Sequence, residues 1–136
     1  MPLYGHELST EITPAEAGLG KLVEVALRKK GEAGTDTVGR EALTTLTESD
    51  PQRTLVGMEG MGRKPIRADY TVISGGETVG VVTSGLPSPT LGKPIAMALV
   101  ATAALSRIAH GDVSVQDARG RAIEVKQTEL PFYKRG

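Results

Sequence analysis

The sequence predicts a mixed, mainly β fold: a small antiparallel β-barrel from about Pro51 onward, preceded by a short α/β segment. Three observations predict it. The apolar period is helical before Asp50-Pro51 and becomes two after it. Glycine-bearing turn signals then recur at short intervals, as they do in small all-β barrels and sandwiches. With one Phe, three Tyr and no Trp among 136 residues, the core has to be built from Val, Ile, Leu, Ala and Met, and seventeen Gly mark many turns. The division falls between residues 1–50 and residues 51–136.

In the first part, Thr13-Pro14-Ala15-Glu16 has the form of a helix start. Thr13 can accept from an orphan backbone N–H, Glu16 can reach back, and Pro14 sits where no donor is needed. Gly18 and Gly20 limit that helix to one or two turns. Leu22 to Leu27 is compatible with a short strand, and Arg28 to Asp36 reads as a charged, glycine-bearing loop. The clearest helix follows. Val38, Ala42, Leu43 and Leu46 share one face, with Asp36 or Thr37 as cap. Asp50-Pro51 stops it, because the residue before proline is pushed away from helical angles.

After Pro51 the strands begin with Leu55-Val56. Tyr70 and Val72 alternate with Thr71 and Ile73; Ser74-Gly75-Gly76-Glu77 supplies a hairpin turn, and Val79 and Val81 continue on the return. Val82 to Pro94 carries three prolines and two glycines and reads as a stiffened loop between strands. Gly85 falls inside it, where backbone angles hostile to side chains are expected. Ile95, Met97 and Leu99 alternate with Ala96, Ala98 and Val100, so both faces of that strand are expected to be buried. Ala101 to Ile108 fits helix or strand. Val113 and Val115 form one further strand, Ala118-Arg119-Gly120 turns, and Ile123 and Val125 return.

Lys plus Arg equals Asp plus Glu at 16 each, which argues against wholesale binding to nucleic acid or to a membrane surface. The balance conceals an asymmetry: residues 1–50 hold 5 basic and 9 acidic side chains, residues 51–136 hold 11 and 7. Ordinary solvated surface is the plain reading of that difference, and a basic patch for an anionic partner the sharper one. There is no Cys, so disulfides and thiolate zinc sites are excluded. His6 and His110 alone do not make a metal site. No run approaches the ~18 apolar residues of a membrane span, and the N-terminus lacks a signal-peptide pattern. A cytoplasmic chain is the default expectation.

No Ser–His–Asp triad can be nominated from spacing. Gly57, Gly60 and Gly62 lie close together, but no helix follows, so they do not make a phosphate loop. Two segments stand out in composition. Leu3-Tyr4-Gly5-His6-Glu7-Leu8 can present a ring and hydroxyl to a flat ligand, because Gly5 lets backbone approach closely; a Tyr packed at a domain edge explains it equally. The other is the proline-rich Val82 to Pro94 stretch, for which structural punctuation is the simpler reading.

Several blocks, in order, resemble one family. They are Tyr4-Gly5-His6-Glu7-Leu8, Thr13-Pro14-Ala15-Glu16-Ala17-Gly18-Leu19-Gly20, Val38-Gly39-Arg40-Glu41-Ala42-Leu43, Gly80-Val81-Val82-Thr83-Ser84-Gly85, Ser88-Pro89-Thr90-Leu91-Gly92-Lys93-Pro94-Ile95-Ala96 and Leu130-Pro131-Phe132-Tyr133-Lys134. Together they are similar to the C-terminal portion of glycine-cleavage T-proteins, which are folate-dependent aminomethyltransferases. The resemblance implies a third-domain β-barrel in residues 51–136 and, in residues 1–50, the remnant of the folate-binding region. It further implies transfer of a methylene from the aminomethyl-lipoyl arm of H-protein to tetrahydrofolate, with release of ammonia. In the family the catalytic aspartate lies upstream of the part matched, so no catalytic residue is nominated. The chain is expected to be inactive alone, to bind tetrahydrofolate weakly or not at all, and to need a separate N-terminal T-protein half. Tyr4, Arg67 and Tyr133 are the residues expected near substrate or folate. Lys21 and Thr37 depart from the family pattern at positions that usually carry aromatic anchors. A different class remains as the alternative: a non-catalytic barrel used as a binding or scaffold domain.

Overall fold

The structure, a computed structural model, describes residues 2–32 and 38–133. Its centre is a closed barrel of six strands: β1 Arg53–Gly60, β2 Thr71–Ser74, β3 Glu77–Ser88, β4 Lys93–Ala101, β5 Ser114–Gln116 and β6 Ala122–Thr128. Around the barrel they run β1-β4-β3-β2-β5-β6, with β6 returning to β1, and every neighbouring pair is antiparallel. The mainly β barrel expected from the sequence is therefore the fold.

The hairpin between β2 and β3 turns where the sequence places it. Ser74 pairs with Glu77, and Gly75 and Gly76 between them have φ of 60° and 78°. Two consecutive left-handed residues match the twist of the flanking strands, and glycine adopts them without a Cβ penalty. Inside the barrel, Val56, Met58, Val72, Val82, Val100 and Val115 are 5% exposed or less. Burying side chains of this size stabilises by roughly 1.5–3 kcal/mol each. Ala96 and Ala98 supply the small residues of the same interior, while Ile66 from the β1–β2 loop and Ile108 complete it. β4 is buried on both faces as expected, since Met97 and Leu99 on its other face are 9% and 3% exposed.

That second face receives the N-terminal segment. The Leu55 N–H donates to the Glu16 carbonyl at 2.9 Å, and the Thr83 hydroxyl donates to Glu7 at 2.8 Å. Thr13 and Glu16 form the reciprocal cap anticipated from their spacing: Thr13 N–H and Oγ1 lie 2.9 and 3.0 Å from Glu16 Oε2, and Glu16 N–H points at Thr13 Oγ1 at 3.3 Å. The cap closes only a turn, because Gly18 is left-handed at φ 74°.

Five expectations are corrected. Leu22 to Leu27 is not a strand, and the helix α1, Gly20–Glu32, takes in most of the Arg28 to Asp36 loop as well; residues 33–37 lie outside the described residues. Val23 and Leu27, four apart, fall on one side of a helix, and α1 packs against the helix α2, Arg40–Glu48. Val38 does not join α2: it is 99% exposed, ahead of the left-handed Gly39 that precedes the helix. The expected caps Asp36 and Thr37 are outside the described residues. The Val82 to Pro94 loop is mostly strand, with Ser84–Ser88 paired to Lys93–Met97 and Pro87 opposite Pro94. Only Pro89–Gly92 turns, closed by Gly92 N–H on the Ser88 carbonyl at 2.9 Å. Pro87 is tolerated because β2 pairs with β3 only as far as Val81, leaving the far half of β3 with a single hydrogen-bonded neighbour. Gly85 accordingly has no left-handed φ; its constraint is contact, described below. The ambiguous Ala101 to Ile108 stretch resolves as a tight turn, Thr102–Ala104, leading into the short helix α3, Leu105–Ala109. Among the described residues no helix is long and apolar enough to cross a membrane.

Candidate functional site

The loop Leu3–Leu8 closes on itself. The Leu3 carbonyl accepts from His6, Glu7 and Leu8 N–H at 3.1, 3.0 and 3.3 Å, and Gly5 N–H donates to the Leu8 carbonyl at 2.7 Å. Glu7 turns back, so that its Oε2 accepts from Leu3 N–H at 3.0 Å, while Oε1 accepts from Thr83 Oγ1 on β3. Glu7 is 1% exposed. One carboxylate thus both closes the loop and fastens it to the barrel. The single Thr83 proton also has the Met97 carbonyl within reach at 3.1 Å, but a charged acceptor is the stronger partner.

Two glycines bring other chain segments to the same place. A Cβ on Gly57 would lie 2.8 Å from the Thr128 carbonyl oxygen, 3.0 Å from Leu130 Cδ2 and 3.1 Å from Phe132 Cε1. The tail therefore crosses β1 where the side chain is missing, and it carries Phe132 with it. A Cβ on Gly85 would lie 2.5 Å from the Ile66 carbonyl oxygen and 3.3 Å from Arg67 N, so the β1–β2 loop lies directly on β3 there.

The result is a cleft of about 370 Å³. Leu3, His6 and Glu7 make one wall, Ser84–Leu86 and Ile95–Met97 the floor, and Phe132 the flank. The lining is mainly apolar with a few fixed polar groups, the usual make-up of a small-molecule site. Burial alone pushes the Glu7 carboxyl up. Hydrogen bonds from the Ser84 and Thr83 hydroxyls and from Leu3 N–H, helped by neighbouring His6, outweigh it and hold the group below the ordinary carboxylate range. Glu7 is therefore an anion at neutral pH.

Tyr4, Arg67 and Tyr133, the residues nominated from the sequence, are all exposed, Tyr4 at 74% and Tyr133 at 58%. None lines the cleft, yet each adjoins it: Tyr4 follows Leu3, Tyr133 follows Phe132, and the Arg67 backbone lies against Gly85. Sequence reasoning missed Glu7, Thr83 and Ser84. The available signal was the single carboxylate of the Leu3–Leu8 block, since Thr83 lies 76 positions away. Five of the basic side chains of residues 51–136 are paired. Arg53 meets Glu16, Lys93 and Lys126 meet Glu59, Arg107 meets Glu77, and Arg121 meets Asp117. Among the described residues no cluster of His, Asp or Glu side chains is suited to a metal ion.

Residues 53–134 match the family described as the glycine cleavage T-protein C-terminal barrel domain, and the chain belongs to that family. Among individual proteins, it is 52% identical to an aminomethyltransferase of Streptomyces avermitilis over 139 residues, covering 99% of this chain and 35% of that protein. Similar matches are the aminomethyltransferases of Streptomyces coelicolor, at 51% identity, 99% of this chain and 35% of that protein, and of Cutibacterium acnes, at 48%, 99% and 34%. The crystal structure of glycine cleavage system aminomethyltransferase T from Bartonella henselae superposes with a TM-score of 0.80 at 30% identity, covering 98% of this chain and 35% of that one. The chain thus spans about a third of the length of the relatives it matches.

Proposed function

We propose that this chain is the barrel-bearing part of an aminomethyltransferase of the glycine cleavage system. The assembled enzyme transfers a methylene from aminomethyl-lipoyl H-protein to tetrahydrofolate and releases ammonia. The observation that carries this reading is similarity along 99% of the chain to aminomethyltransferases of which it spans only 35%. The cleft over β3 and β4 is one wall of the ligand site, with Tyr4, Arg67 and Tyr133 at its rim as substrate- or folate-proximal groups.

The lining of the cleft fits part of a folate. Apolar side chains offer faces for a flat ring, and the hydroxyl-bound carboxylate and backbone at the floor offer fixed polar groups. Its size suits one ring system rather than the whole molecule, and small ligands bind well only where most of their surface is enclosed. The contribution of this chain is therefore positional: it holds one side of the ligand while the rest of the enzyme holds the other, and rate acceleration comes chiefly from fixed proximity. No residue of the chain is assigned to proton transfer. Apolar side chains left at the rim, including Leu3 at 59% and Leu86 at 54% exposure, suit a surface completed by further polypeptide.

Calorimetry with tetrahydrofolate tests the proposal, first on the chain alone and then with the amino-terminal portion of a T-protein supplied as a second chain. An assay with aminomethylated H-protein follows. Weak or absent binding alone and binding with turnover in the mixture are expected. Turnover by the chain alone, or none in a mixture that demonstrably associates, would refute it.

A further inference from the structure

Among the described residues three glutamates are buried, and two of them meet cations. Glu16 has Arg53 at 2.7 Å, and Glu59 has Lys93 at 3.1 Å and Lys126 at 3.4 Å. Glu7 is the most deeply buried of the three. Its donors among the described residues are neutral: the Thr83 and Ser84 hydroxyls and Leu3 N–H. Among the described residues no Lys, Arg or His nitrogen lies within ion-pair distance of it. It is also the one buried glutamate in the wall of the apolar cleft.

A charge fixed in such a wall is poorly screened, and low-dielectric surroundings focus its field into the adjoining space. Neutral donors hold the carboxylate in place without cancelling its charge. We infer that the cleft selects ligand groups carrying positive charge, alkylammonium groups foremost, and rejects carboxylates. Two other ionisable groups lie nearby: His6 on the same wall and Arg67, whose backbone adjoins Gly85. Both are exposed, and a positive charge on either opposes the selection, so Glu7 has to dominate them. The preference follows from the wall itself and does not depend on the folate reaction; its failure would leave the proposed function standing.

Three probes of one shape separate the charge states: phenethylammonium, phenethyl alcohol and hydrocinnamate. Each is titrated into the full chain, isotopically labelled, and binding is read from amide shifts of Ser84, Gly85, Ile95 and Met97. The ammonium is expected to bind at least tenfold more tightly than the carboxylate, with the alcohol between them. In Glu7→Gln the ratio should fall to near unity, and in His6→Gln it should hold or grow. Equal binding of the three probes, preference for the carboxylate, or no binding by any probe overturns the inference. So does an ammonium preference that survives Glu7→Gln. Should Glu7→Gln not fold, the order of the three probes on the parent chain decides alone.

Discussion

Replacing Gly85 by Val puts a side chain where the fold has no room. In a strand this substitution would ordinarily stabilise, since glycine in a strand or helix interior costs roughly 0.5–1 kcal/mol relative to alanine. Here the new Cβ meets the Ile66 carbonyl oxygen at 2.5 Å and the Ile66 carbonyl carbon at 2.8 Å. An ordinary close carbon–oxygen approach is about 3.3 Å, so the loop or the strand has to move by about 0.8 Å. Neither moves freely: Ile66 is fully buried in the core, and Gly85 is held in register opposite Ala96. Overpacking of this kind costs ~1–3 kcal/mol. Against the gain in strand preference, a net loss of about 1–2 kcal/mol remains, and at ~3–4 °C per kcal/mol for a chain of this length the midpoint falls by roughly 3–8 °C. Thermal unfolding followed by far-UV circular dichroism measures it. Gly62→Ala is the control, because nothing lies within 4 Å of its added Cβ and its φ is not left-handed; a change below about 0.5 kcal/mol is expected there. An unchanged or raised midpoint for Gly85→Val would refute the argument from close approach. So would an equal fall in Gly62→Ala.

Acid should unfold the chain through its buried carboxylates. Burial raises Glu7, Glu16 and Glu59, but hydrogen bonds and neighbouring cations prevail and hold all three below the ordinary value of 4.5. Groups depressed on folding contribute stability that is fully present above the unfolded value and lost as pH falls through the folded ones. Melting temperature should therefore change little with these groups above about pH 5 and fall below pH 4.5; a fall with its midpoint near pH 6 would point to other groups. Glu16→Gln should cost about 1–2 kcal/mol, discounted for the partly exposed Arg53, because it leaves the Thr13 N–H and the guanidinium short of an acceptor. Urea denaturation reads that loss, and a midpoint equal to the parent's would reduce the pair to surface decoration. In native-state hydrogen exchange the slowest amides should lie in β1, β3 and β4, with α1 and α2 opening first; slowest exchange in residues 1–50 would contradict this.

The parts of the fold legible in the sequence are those whose cause is local. Gly75-Gly76 between two alternating stretches admits few conformations, so the β2–β3 hairpin can be read directly. Thr13 and Glu16 announce their cap by spacing, and β4 announces double burial by apolar residues at every position from Pro94 to Ala101. What escaped depends on distant partners. Val23 and Leu27 satisfy a period of two nearly as well as one of four, and only α2 decides for helix. Pro87 looks like loop until the topology leaves that half of β3 with one neighbour. The cleft follows the same division. Its family resemblance lies in ordered sequence blocks, whereas Glu7 gains its role from Thr83 on β3 and Phe132 arrives only because Gly57 lets the tail cross β1.

The strand order has a consequence for how the chain acquires its fold during synthesis. β1 is made first of the six strands and β6 last, yet the two are hydrogen-bonded neighbours. Until Ala122–Thr128 has left the ribosome the sheet has two unpaired edges, one of them on β1 with Val56 and Met58 already made. Open apolar edges are templates for pairing with other chains, and long-range pairings of this kind form late and slowly. The nascent barrel is thus most vulnerable to aggregation when it is almost complete. In that interval the N-terminal segment, tied to Leu55 through Glu16 and to Thr83 through Glu7, can already cover the outer apolar face.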